Sequence, residues 1–127
     1  MASILTVVER SYHGTIEEQG DTVLWLAAAV KGAGADMGVL LRGNAVNYAV
    51  TGQDAGGLTI GGVALKVPPT IDKDIADLIG KGVAVCAVAE DLQSRGISAN
   101  DLVKGVQVIP QKDTAGLWDK YDAIWHF

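Results

Sequence analysis

Residues 83–97, VAVCAVAEDLQSRGI, set two periodicities back to back. Val83 to Val88 is a short apolar run rich in β-branched residues, which favours a buried strand. From Ala89 the chain turns polar and stops at Gly96 after about two helical turns. A strand apolar on both faces and followed at once by a helix is half of a strand-helix-strand unit. Such strands belong to parallel sheets, because parallel neighbours need crossovers and helices are the usual ones.

The alternation extends in both directions. SILTVV (Ser3 to Val8) reads as a first strand, and Val23, Leu26, Ala27 and Val30 share one face of a helix. Glu17 and Glu18 lie near its start, Lys31 near its end, and Gly32 and Gly34 stop it. DMGVLL is a second strand, after which Asn44 is expected to cap a short helix, AVNYAV, ending at Gly52. Residues 51–70 hold five of the sixteen glycines and two of the three prolines, and predict an excursion with a short hairpin or extended arm. Thr70 is the expected N-cap of a helix burying Ile71, Ile75, Leu78 and Ile79, and Ser98 with Asp101 forms a capping pair further on. VQVIP, TAGLWDKY and AIWHF supply a fourth strand, a last helix and a fifth strand. The expectation is one domain over residues 1–127, a three-layer α/β/α fold around a mostly parallel sheet of about five strands.

Composition limits the function classes. The chain has 127 residues, 49% hydrophobic and 20% charged, which suits a single packed core. A formal charge of −5, with ten scattered Lys and Arg, argues against nucleic acid as partner. The most apolar helical stretch, around Ala27 to Val30, is too short to span a bilayer, and MASILTVVERSYHG does not read as a signal peptide. No membrane association and a cytoplasmic location are therefore expected. A lone cysteine excludes an internal disulfide, a CxxC pair and a thiolate zinc cluster. The glycines of GQDAGGLTIGGVAL lack the order of a phosphate loop, and no metal-spaced cluster or Ser/His/Asp arrangement stands out. Neither metal nor cofactor is expected.

In a parallel sheet the loops leaving the carboxyl ends gather on one edge, where ligands usually bind. That edge would collect RSYHGT, RGNAVNY, the end of the cysteine strand with AEDLQSRG, and PQKDT. Cys86 falls near it. As a lone thiol in an apolar strand, Cys86 reads equally well as a buried small hydrophobe. Trp25, Trp118 and Trp125 read mostly as core and, with Phe127, would also suit an oligomer interface. His126 is expected at an edge or subunit contact.

Four segments together resemble the DsrE/DsrF-like sulfur-relay proteins, which include the TusBCD subunits. They are YHGT after the first strand, LLRGNAVNYAVTGQ after the second, EDLQSRGISANDLV after the cysteine strand, and the terminal DAIWHF. The similarity spans essentially the whole chain, and order and spacing carry it. It implies a flavodoxin-like fold and assembly into trimers or hexamers of like or related subunits. In catalytic members it also implies a cysteine that accepts sulfur as a persulfide from a donor protein and passes it to an acceptor. Some subunits lack that cysteine and serve the assembly. Counted from Leu92, the family's cysteine falls near Ala87 or Val88, so Cys86 is one or two residues early. A persulfide carrier needs a thiolate, for which His13 and Arg42 are the cationic neighbours on offer, whereas Glu90 and Asp91 oppose it.

Two readings follow. In the first, the chain is a sulfur carrier or sulfurtransferase with Cys86 as acceptor, and Tyr12, His13, Gly14, Thr15, Arg42, Gly43 and Asn44 line the pocket. In the second, it is a noncatalytic subunit that scaffolds an oligomer or binds a partner or small molecule.

Overall fold

The computed structural model describes residues 2–12 and 21–127. Elements run in the order β1 (Ser3–Val8), α1 (Thr22–Gly32), β2 (Asp36–Leu41), a 3-10 turn (Gly43–Ala49), β3 (Thr59–Ile60), β4 (Val63–Ala64) and α2 (Ile71–Gly80). They continue with β5 (Ala84–Val88), α3 (Ala89–Ser94), β6 (Gln107–Ile109), α4 (Thr114–Trp118) and β7 (Ala123–His126). Among the described residues one five-stranded sheet has the order β6-β5-β2-β1-β7, every pair parallel. The three-layer α/β/α architecture expected from the sequence is the one observed.

The order of the strands dictates where the helices go. From β1 through β2 and β5 to β6 the chain steps in one direction, so right-handed crossovers put the intervening helices on one face. The step from β6 to β7 runs back across the whole sheet and puts α4 on the other. The two cores follow this division. Val23, Leu24 and Ala27 of α1, Ile71, Ile75 and Leu78 of α2 and Leu92 of α3 pack with Met37, Val39 and Leu41 on the first face. Leu5, Val7, Leu40, Cys86 and Val88 form a smaller cluster on the second, covered by Leu117, Trp118 and Tyr121.

Two local devices hold these layers. Asp21, 2% exposed, is the N-cap of α1: its Oδ1 accepts from the amides of Val23 at 2.9 Å and Leu24 at 3.2 Å. Its Oδ2 accepts from the hydroxyl of the fully buried Tyr48, which in turn accepts from the Tyr12 amide. On the other face Gly38 leaves room for Tyr121, whose hydroxyl oxygen would lie 2.1 Å from a Cβ built at that glycine.

Several local expectations are corrected. Leu24, not Leu26, is buried on α1, and Trp25 is 67% exposed instead of core, because it points away from the sheet one residue after Leu24. Asn44 does not cap a helix; Arg42 stands at the start of the 3-10 turn, and the Asn44 side chain accepts from Arg95. Thr70 occupies the N-cap of α2 without a side-chain bond. The Ser98 and Asp101 pair does form a capping box, Asp101 Oδ2 accepting from the Ser98 amide at 2.9 Å, around a 3-10 turn. The excursion carries the expected hairpin, β3 antiparallel to β4.

Candidate functional site

The carboxyl ends of β1, β2 and β5 and the turn after β6 open into a cleft of about 420 Å³. Its position follows from topology. The connection leaving β5 runs over one face of the sheet and the one leaving β6 over the other, and chain segments diverging at such a point leave a crevice between them. Glu9 and Arg10 reach it from β1, Arg42, Gly43 and Asn44 from β2, Val88 from the end of β5, Asp91 and Arg95 from α3, and Gln111 and Thr114 from beyond β6.

The lining is tied together by hydrogen bonds between loops. Arg42 Nε meets Glu9 Oε1 at 3.1 Å, and the same oxygen lies 3.2 Å from His126 Nε2. Gly43, at φ +57°, turns its amide onto Asp91 Oδ2 at 2.8 Å. A side chain is disfavoured at that backbone angle, so the glycine is what lets β2 break towards α3. Arg95 donates through Nη2 and Nε to Asn44 Oδ1 at 2.7 and 3.3 Å. Glu90, just outside the lining, accepts from the Gln111 amide at 3.0 Å.

Of the residues expected from sequence, Arg42, Gly43 and Asn44 come together in this cleft. Tyr12 stacks edge-on to Tyr48, ring centroids 5.3 Å apart, and is absent from the lining. His13, Gly14 and Thr15 lie outside the described residues. The sequence names Asp91 only as a charge opposing a thiolate and does not single out Arg95 or Gln111, although the segments carrying them are expected on this edge. What sequence reasoning lacked was the β5/β6 divergence, which depends on strand order.

Cys86 sits mid-strand, paired in register with Leu40 and Gln107, and is 4% exposed. Its Sγ is 3.9 Å from Gln107 Oε1. Burial pushes the thiol above its ordinary value, with the charge of Lys120 opposing. Two residues on, Val88 points to the same face and does line the cleft. Successive same-face residues of a strand are about 6–7 Å apart, and Val88, 1% exposed, is no more open to solvent than the thiol.

Among the described residues no group of three or more His, Cys, Asp or Glu could hold a metal ion, and no helix is long and apolar enough to cross a membrane.

No protein-family model and no curated protein matches the chain. Solved structures do. The ychN protein from E. coli is 22% identical over all of both chains, with a TM-score of 0.76. The protein of unknown function MTH1491 from Methanobacterium thermoautotrophicum is 19% identical over 97% of this chain and 96% of that one, with a TM-score of 0.60. At these identities the shared property is the fold.

Proposed function

We propose that this chain is a DsrE/DsrF-like protein serving as a noncatalytic binding subunit of a cytoplasmic oligomer, with the cleft as its working surface and Cys86 as core. The observation carrying this reading is the placement of the thiol: buried in the second-face cluster, raised in pKa, and absent from the residues that line the cleft. A persulfide carrier attacks as thiolate, and desolvation works against one here. The sulfur-carrier reading keeps one observation in its favour, the charge of Lys120, which pulls the thiol the other way.

Intact-mass spectrometry after polysulfide treatment, with iodoacetamide alkylation followed across pH, decides between them. Native Cys86 should gain no sulfur and should alkylate only above the ordinary thiol range. Unfolding in urea should raise its alkylation rate at neutral pH at least about tenfold, because the thiol then meets solvent. A dithiothreitol-reversible gain of sulfur on native Cys86 would restore the sulfur-relay function.

The raised thiol also predicts the sign of a pH effect on stability. A folded-state pKa above the unfolded one leaves stability intact below the unfolded value of 9.0 and removes it as pH climbs from there through the folded value.

A further inference from the structure

Counted over the described residues that line it, the cleft carries a charge opposite to that of the chain: three guanidinium groups, Arg10, Arg42 and Arg95, face two carboxylates, Glu9 and Asp91, in a protein of formal charge −5. Both carboxylates are engaged, Glu9 by Arg42 and His126, Asp91 by the Gly43 amide. Arg95 differs from Arg42 in its partners. Among the described residues it donates to neutral oxygens only: Asn44 Oδ1, the Asp91 carbonyl at 3.2 Å and Ser94 Oγ at 3.1 Å. Its guanidinium is thus oriented without its charge being cancelled, and of its five N–H donors one on Nη2 is left for an oxyanion.

Shape and polarity narrow the guest. About 420 Å³ lies within the range of small-molecule sites. Asn44, Gln111 and Thr114 supply polar groups, and among the described residues Val88 is the sole apolar one in the lining, so a greasy ligand has little to bury against. A long polyanion would meet the acidic remainder of the surface. We propose that the cleft binds a small, polar molecule through a phosphate or carboxylate group, with Arg95 as its principal anchor and Arg42 as the second. This rests on reading the chain as a binding subunit and names the ligand class of that same cleft.

The test is a titration of the full chain with inorganic phosphate and, separately, with citrate, at constant ionic strength. Binding is read from the NMR shifts of the Gly43, Asn44 and Gln111 amides and the arginine Nε groups. Saturable shifts confined to these groups are expected with at least one anion. Arg95→Gln should weaken binding about tenfold, the scale of one charge-assisted hydrogen bond, and Arg95→Lys should weaken it less. Lys81→Gln, beyond the end of α2, should leave it unchanged. A response to phosphate alone assigns a phosphorylated ligand, and a response to citrate alone a carboxylate. No saturable shift with either anion, shifts spread over surface lysines, or shifts that survive Arg95→Gln would overturn the inference. An inert Cys86 with no anion bound defeats this inference alone, whereas sulfur loaded onto Cys86 defeats the subunit reading whatever the anions do.

Discussion

Asp21→Ala is expected to lower the unfolding free energy by about 3 kcal/mol, a fall in Tm of about 10 °C for a chain of this length. The loss has two sources. The first turn of α1 gives up an acceptor shared by the Val23 and Leu24 amides, an N-cap contribution of about 1 kcal/mol. The fully buried Tyr48 hydroxyl then loses the carboxylate that accepts from it, and an orphaned buried donor costs about 1–3 kcal/mol. Asp21→Asn keeps one oxygen for the cap and should cost less, and Tyr48→Phe should leave the cap intact while removing the second contribution. Urea melts of the three variants test the ordering. If Asp21→Ala stays within about 0.5 kcal/mol of the parent, the network contributes nothing of substance.

Gly38→Ala should destabilise the protein by about 1–3 kcal/mol, and the effect should reverse when Tyr121 is removed. The new Cβ would lie 2.1 Å from Tyr121 Oη and 2.7 Å from Cζ, so the ring must leave its place against the second-face cluster. Overpacking and lost burial then add. In a Tyr121→Ala background the clash is gone, and alanine should match or exceed glycine, since glycine weakens a strand interior. A double-mutant cycle reads the difference directly. Equal destabilisation in both backgrounds would mean that Gly38 is needed for its backbone and not for Tyr121.

The five strands and the two long helices were legible because their signals are local: apolar runs of strand length, and Ile71, Ile75 and Leu78 spaced for one face of α2. The carboxyl edge was legible as well, because the alternation of elements implies a parallel sheet and the hand of its crossovers sends all the loops one way. What stayed hidden depends on neighbours distant in sequence. Trp25 reads as core on its own chemistry, and its exposure follows from the turn of α1 that buries Leu24. Asn44 reads as a cap until Arg95, fifty-one residues on, claims its side chain. The depth of Cys86 was the hardest to read. One apolar run gives no strand end to within two residues, and the side chains that bury the thiol, Leu117, Trp118 and Tyr121, come from a distant part of the chain.

The pairing of β7 with β1 has a kinetic consequence. Ile4 stands opposite Ala123, so this contact closes a loop of nearly the whole chain, whereas the main sheet contains no hairpin to nucleate on. Loop-closure entropy rises only with the logarithm of length, and the equilibrium barely registers it. The barrier does, because distant strands must meet before any burial rewards them. Refolding should therefore be slow for the size of the protein, with β7 joining after the barrier is crossed. Ile124→Ala should accelerate unfolding and leave the refolding limb of a chevron nearly untouched. The edge strand that completes the sheet would then set how long a folded molecule lasts, while the strands beside β2 set how quickly one is made.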